Sequence, residues 1–404
     1  MSNLSSKPKS QSKSQSKYLN YNSTFVGGFN STFNPSDVNY NQVQDNVNVE
    51  NEVKDYIKSL VNAPDNSDVI FNSGSTESIA TVINWSKSIS PNGLVLGSVL
   101  DHPSVEMNCK NMDVEYRKLS YSMMKNQKGI DIPINTSLVF ITGVSPSTGE
   151  IYNQHFKQYN YIYNNNPNVE SILMNYTTDY NDIESNISIP ESSIDSSNII
   201  DRLTGGNIVS NQKYTHYMRP LKVLDATQMI GKLDIDMIDN DLDAVFFSLH
   251  KIGGEYNCGI LVVNQSHYQF KPLIAGNQQN QLRGGTYNSY AYDDIDELLR
   301  NYSKKVKLDS CKEVYQTFTA KLDENGIEYH KPELNHLYNT ILINLDHCNA
   351  NVIYQLSLQN IFVGSETACQ YDNEAHNLRI SYLNGRNFDT KTMDKIIKAI
   401  KDDA

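Results

Sequence analysis

No apolar run in this 404-residue chain approaches the roughly 18 to 20 uninterrupted residues that a membrane span requires, and its beginning lacks the apolar core of a secretory leader. Together the two absences predict a cytoplasmic protein without a membrane partner. Basic charge is scarce: 34 Lys and Arg stand against 46 Asp and Glu, a formal net charge of -12. Nucleic-acid binding works through clustered basic side chains that neutralise phosphates, so that class is excluded and a small-molecule substrate is expected. Cysteine is sparse as well. Five residues at irregular spacing, Cys109, Cys258, Cys311, Cys348 and Cys369, make neither a disulfide framework nor a zinc pattern, and no metal site is expected.

What is present suffices for a sizeable core, with 39% hydrophobic and 10% aromatic residues in a chain long enough for two domains. The first 17 residues, MSNLSSKPKSQSKSQSK, carry four lysines, no acid and almost nothing apolar. Such a segment cannot offset the entropy of ordering and is expected to be a disordered tail. From Asn72 the pattern alternates. STESIATVINWSKSI has helical spacing, whereas GLVLGSV, SLVFITGV, LKVLDA, DAVFFS and CGILVV are short apolar runs of the kind that form strands covered on both faces. The alternation predicts an α/β fold with a mostly parallel central sheet flanked by helices. Residues 152–220, rich in Asn, Ser, Tyr and Ile, interrupt it and read as a low-complexity surface insertion. The expected division is a segment 18–44 joining the small domain, a large domain over 45–290, and a smaller α/β domain over 291–404.

The stretch AVFFSLHKIGGEYNCGILVV places a lone lysine, Lys251, between two strand-like runs. A lysine there either reaches solvent or is partly desolvated, and desolvation turns an amine into a nucleophile. VLDATQMIGKLDID ends a predicted strand at Asp225, and two neighbouring parallel strands would bring Asp225 and Lys251 to one carboxyl edge, where open α/β sheets bind ligands. The pair is either a plain salt bridge or the machinery of pyridoxal phosphate, where the lysine forms a Schiff base and the carboxylate keeps the pyridine nitrogen protonated. Ser75 and Thr76, behind Gly74 at a predicted helix start, are either N-caps or phosphate ligands. Ser248 and His250 add a hydroxyl and an imidazole beside the lysine.

In order along the chain, NSGSTES, LDHPSV, VLDATQMIGKLDID, FFSLHKIGG and QLRGGTYN resemble the class V aminotransferase family of fold-type I pyridoxal phosphate enzymes, and within it the cysteine desulfurases. YLNYNSTF, FNPS and NLRISYLNGRNFDTKTMDKI extend the resemblance to nearly the whole chain, apart from the tail and the insertion. The resemblance implies pyridoxal 5'-phosphate as cofactor, Lys251 as the Schiff-base lysine, Asp225 as the partner of the ring nitrogen and His102 as the imidazole stacked on the ring. It implies that Gln228 hydrogen-bonds the cofactor's phenolic oxygen, and that Ser75, Thr76, Ser248 and His250 hold its phosphate. Thr286 in RGGTYN would reach the phosphate of the neighbouring subunit, which implies a homodimer. Arg379 in LRISY would pair bidentately with the substrate carboxylate, a task its planar fork suits.

A desulfurase also needs a thiol to take up sulfur, and a protein to pass it to. Cys369 in GSETACQYD resembles the desulfurase cysteine, and nine residues separate it from Arg379, a short loop for that role; its other reading is an inert packing residue. The family usually carries an asparagine after the strand LVFIT, and VSPSTGE has Ser145 and Pro146 there. The expected activity is conversion of L-cysteine to L-alanine with an enzyme persulfide on Cys369. Two alternatives stay open: a class V aminotransferase or lyase for another small amino acid, and a catalytically inactive binding or scaffold protein that keeps the fold.

Overall fold

The structure, a computed structural model, describes residues 17–18, 43–124, 130–133, 135–151, 159–162, 174–175, 219–253, 258–285, 295, 298, 301, 308–346, 348–365, 376–382 and 388–403. Its centre is a seven-stranded sheet. In spatial order the strands are β2 (Ser67–Asn72), β11 (Gly259–Asn264), β10 (Ala244–Ser248), β9 (Leu221–Asp225), β6 (Thr136–Thr142), β3 (Leu94–Ser98) and β4 (Tyr116–Leu119). All run in one direction except β11, which is antiparallel to both neighbours. This is the mostly parallel α/β architecture that the alternating pattern predicts.

The apolar runs are continuous because both faces of the sheet are covered, and successive side chains enter opposite cores. On one face Phe71, Val139, Ile141, Leu224, Val245 and Phe247 pack with Val53 and Ile57 of α1 (Val43–Leu60) and with Val61 just after it. On the other, Ile70, Phe140, Val223, Phe246 and Leu261 pack with Ile79, Val82, Ile83 and Trp85 of α2 (Ser75–Ile89) and with Val105 and Cys109 of α3 (Pro103–Asn111). Trp85 is fully buried and still satisfied, its indole N–H donating to the Gln269 carbonyl at 3.0 Å.

After β4 come a short helix α4 (Tyr121–Met124) and β5 (Ile130–Pro133). Within the expected insertion the structure describes two strands, β7 (Tyr159–Ile162) and β8 (Met174–Asn175), which form a three-stranded sheet with β5. The C-terminal part has its own core. Strands β12 (Thr340–Asn344), β15 (Asn377–Ser381) and β14 (Gly364–Ser365) form an antiparallel sheet. Helices α5 (Leu308–Glu324), α6 (Ala350–Leu358) and α7 (Thr390–Asp403) bury Phe318, Val352, Leu356, Ile396 and Ile400 in the same core. Gly326, at φ 68°, ends α5 in the left-handed conformation, and the next amide, Ile327, donates back to Leu322. At the other end of the chain, β1 (Lys17–Tyr18) pairs in parallel with β13 (Ile361–Phe362). Among the described residues no helix is long and apolar enough to cross a membrane.

Two buried charge clusters lie outside this hydrophobic scheme. At the amino edge of the sheet Arg219 pairs with Asp243 at 2.5 Å and with Asp241 at 2.9 Å, while the buried Lys222 reaches Asp241 at 2.8 Å. Burial opposes ionisation of Asp241, yet Lys222 and Arg219 hold its carboxyl below the ordinary value. Removing one partner leaves the other buried and under-compensated, which costs about 3 kcal/mol. Asp243→Ala is therefore expected to lower the denaturant midpoint by that order while leaving the opposite, carboxyl edge intact, read as unchanged ligand binding by the folded protein.

The second cluster joins the central sheet to the C-terminal part. Glu150 is fully buried and accepts from Tyr121 Oη at 3.0 Å, Thr148 Oγ1 at 2.8 Å, His330 Nε2 at 3.0 Å and the Glu333 amide at 2.8 Å. Burial raises its carboxyl, but the bonds from His330 and Thr148 prevail and hold it below 4.5. A carboxylate depressed by folding contributes stability that is present above its unfolded value and is lost as pH falls through the folded one. Glu150→Gln is expected to destabilise the protein at neutral pH and to flatten the loss of stability below about pH 4.5, as measured by denaturant melts across the acid range.

Candidate active site

The carboxyl edge of the sheet gathers the residues singled out in the sequence. Asp225 is the last residue of β9 and lies opposite Phe246 of β10 in parallel register. β10 runs on to Ser248 and turns into a single 3-10 turn, Leu249–Lys251, which delivers the lysine over the same edge. Lys251 acts electrostatically on four groups, Asp225, His102, His250 and Lys232. One charge felt by the buried Asp225 and by three half-buried groups makes this edge the candidate site.

Burial raises the Asp225 carboxyl, opposed by bonds from Thr227, whose amide donates to Asp225 Oδ1 at 2.9 Å, and by the Lys251 charge. Both imidazoles are pushed the other way. Burial and then Lys251 lower His102 and take His250 down to about 4, so His250 is neutral at pH 7 and His102 is shifted toward its neutral form. His102 caps α3, its Nδ1 accepting from the Ser104 amide at 3.2 Å and lying 2.7 Å from the Ser104 hydroxyl. An accepting Nδ1 places the proton of the neutral ring on Nε2. The neighbouring Asp101 anchors this loop with four bonds, from the Ser98 amide and hydroxyl, Tyr116 Oη and Thr142 Oγ1, all between 2.8 and 2.9 Å.

The start of α2 closes the site from the side. The Ser75 amide donates to Ser248 Oγ at 3.2 Å, and the Ser75 hydroxyl meets Thr227 Oγ1 at 2.9 Å. A chain of contacts thus runs from the Asp225 carboxylate through Thr227 to the helix N-terminus. Gly259 makes the approach possible: a Cβ there would stand 2.6 Å from the Gly74 backbone and 2.1 Å from Asn72 Oδ1. Glu77 holds the same turn from outside, accepting from Arg283 Nε at 2.9 Å and Nη2 at 3.2 Å. Thr76 is exposed on the first turn.

Gln228 is buried behind Asp225, and its Oε1 accepts from Lys232 Nζ at 3.2 Å. Gly143 lets this turn pack down, since a Cβ there would lie 2.0 Å from Met229 Sδ. Arg379 sits in the middle of β15, 1% exposed, and its Nη1 donates to the Pro146 carbonyl at 3.3 Å. The residue that departs from the expected asparagine therefore touches the arginine expected to bind the substrate carboxylate. Thr286 and Cys369 lie outside the described residues. Cys109, Cys258 and Cys311 are buried thiols pushed up to about 12, first by loss of solvent, and are unreactive at neutral pH. Among the described residues no cluster suits a metal ion.

This set fits pyridoxal phosphate. It offers an amine, a buried carboxylate for a ring nitrogen, an imidazole, and a helix N-terminus lined by hydroxyls whose backbone approach depends on the missing Cβ of Gly259. Thr227, Glu77, Arg283 and Lys232 support the site without having stood out in the sequence. Thr227 was discoverable, because a threonine two positions after an acidic strand end is the pattern of a turn that bonds its own backbone.

A family model described as Aminotransferase class-V matches residues 30–161 and 175–375. A curated protein named cysteine desulfurase, from Enterobacter agglomerans, is 38% identical over 65 residues, a match spanning 16% of this chain and 16% of that protein. The solved structure of a NifS-like protein from Rickettsia africae ESF-5 superposes with a TM-score of 0.63 at 17% identity, covering 96% of this chain and 99% of that one. A phosphoserine aminotransferase from Cytophaga hutchinsonii superposes with a TM-score of 0.54 at 13% identity, covering 90% and 91%. At these identities the superpositions establish the fold.

The Thr227 bridge generates a test. Thr227→Val keeps the shape and removes the hydroxyl between Asp225 and Ser75, so affinity for pyridoxal phosphate is expected to fall about tenfold, the cost of one or two hydrogen bonds. Titration of the apoprotein with the cofactor, followed by its absorbance, reads this directly.

Proposed function

Because the chain belongs to the class V aminotransferase family, whose enzymes depend on pyridoxal phosphate, we propose that it is a cysteine desulfurase. It would convert L-cysteine to L-alanine and leave the sulfur as a persulfide on Cys369. The observation that carries the reading is the single electrostatic cluster of Lys251, Asp225 and His102 at the carboxyl edge. The desulfurase name of the curated relative and the NifS-like name of the structural neighbour support it.

The roles follow from the groups. Asp225 keeps the pyridine nitrogen protonated, helped by Thr227, which orients the carboxylate. Pyridoxal phosphate, when bound, supplies the electron sink that makes the Cα proton of an amino acid labile. Lys251, the residue that carries the cofactor, becomes the base that removes that proton. Arg379 binds the substrate carboxylate and so sets which face of Cα meets Lys251. His102, whose Nδ1 accepts from the Ser104 amide, would exchange a proton with the reacting groups through Nε2. The Cys369 thiolate attacks the substrate sulfur; a sulfur–sulfur bond forms, the substrate Cβ–sulfur bond breaks, and Cβ takes the electron pair and a proton to become the methyl group of alanine. Reduction of the persulfide by an added thiol, or transfer to an acceptor protein, returns the enzyme to its starting state.

The expected assembly is a homodimer in which Thr286 completes the neighbouring phosphate site. Arg283, three residues earlier in the same RGGTYN-containing stretch, is tied to Glu77 of its own chain, and the contribution of Thr286 to the neighbouring subunit rests on the motif. A second reading, transamination of another small amino acid, is favoured by Pro146 standing against Arg379 where the family carries asparagine.

Incubation of the cofactor-loaded protein with L-cysteine and a thiol reductant is expected to give alanine and sulfide in equal amounts, and neither from Lys251→Ala. Cys369→Ser is expected to release no sulfide. Continued turnover in that variant, with another amino acid as the better substrate, would replace desulfuration by transamination.

A further inference from the structure

Gln228, which the resemblance assigns to the cofactor's phenolic oxygen, is buried just beyond Asp225, and its carboxamide has two ends of opposite hydrogen-bonding character. Whether it offers a donor or an acceptor to a ligand depends on what holds its other end. Lys232 stands four residues further on in the same turn and its Nζ lies 3.2 Å from Gln228 Oε1. An ammonium carries donors only, so the end facing it has to be the oxygen, and the NH2 group is turned the opposite way.

We propose that Lys232 is a positioning residue, which fixes the Gln228 carboxamide with its NH2 end toward the cofactor's ring oxygen and places a second positive charge beside Lys251. The inference rests on the cofactor lying over Asp225 and Lys251. Its consequence is electrostatic: a donor and a cation next to the anionic ring oxygen and the lysine-bound nitrogen both disfavour the extra proton held between them. The groups acting on Lys232 are consistent with this. Burial and then the Lys251 charge bring its amine down to about 8, and the Cys311 thiol on α5 opposes them weakly. Lys232 is thus in electrostatic contact with Lys251 although the two are 19 positions apart.

The test uses the full-length protein saturated with pyridoxal phosphate, without substrate. The visible absorption of the lysine-bound cofactor is titrated against pH in the wild type, Lys232→Met and Lys232→Arg. Methionine keeps the stem and removes both charge and donor, so the midpoint is expected to rise by roughly half a pH unit or more. Arginine keeps a donor-only cation and is expected to titrate with the wild type. A Lys232→Met protein that develops the band and titrates like the wild type overturns the inference and leaves the cofactor site standing. Absence of the band in the wild type itself overturns both, and Lys251→Ala shows which signal belongs to the bound cofactor.

Discussion

Parallel pairing between β9 and β10 is the constraint on which the site depends. With Asp225 opposite Phe246, the carboxylate ends one strand while its neighbour continues two residues further to Ser248 before turning. That offset places Lys251 above the edge at which Asp225 terminates. Burial raises the Asp225 carboxyl, and the Lys251 charge over the same edge opposes that rise. The order of the sheet supplies the rest: β2 and β11 bring the helix start at Ser75 against Ser248, and β3 and β6 bring His102 and Pro146 from the opposite side.

Two departures from ordinary packing make these approaches possible. One is glycine used as space, at Gly259 beneath the Gly74 turn and at Gly143 beneath Met229. The other is a carboxylate used as a fastener. Asp101 gathers donors from three strands or their ends around the root of His102, and Glu150 joins the sheet's loops to His330 and Glu333 of the C-terminal part. Arg379 comes from that C-terminal part and meets Pro146 from the sheet's part, so Glu150 fastens together the two segments that would have to close on a substrate. The ion pairs of Arg219 and Lys222, by contrast, lie at the other end of β9 and serve the sheet alone.

Much of the fold was legible because its signals are local. Strands covered on both faces must be apolar throughout, so VLD, AVFFS and GILVV stand out against polar surroundings, and the helix over STESIATVINWSKSI begins and ends where its periodicity does. That Asp225 and Lys251 share one edge of the sheet was legible too, because adjacent parallel strands bring their ends together. The bond between Glu77 and Arg283, 206 positions apart, leaves no periodic trace, and neither does the reach of Tyr121, Thr148 and His330 to Glu150. Lys232 leaves no periodic trace either, since only the fold brings its ammonium to Gln228 and within reach of the Lys251 charge. Thr286 and Cys369 lie outside the described residues, so their roles stand on the motifs RGGTYN and GSETACQYD.

The central claim is that Lys251 carries the cofactor. Its most direct test is borohydride reduction of the pyridoxal-phosphate-loaded protein, followed by digestion and mass mapping of the modified peptide. The reading predicts a single stoichiometric pyridoxyl adduct on Lys251 in the peptide containing FFSLHKIGG. An adduct on Lys232, or no specific adduct in protein that is otherwise folded, would contradict it.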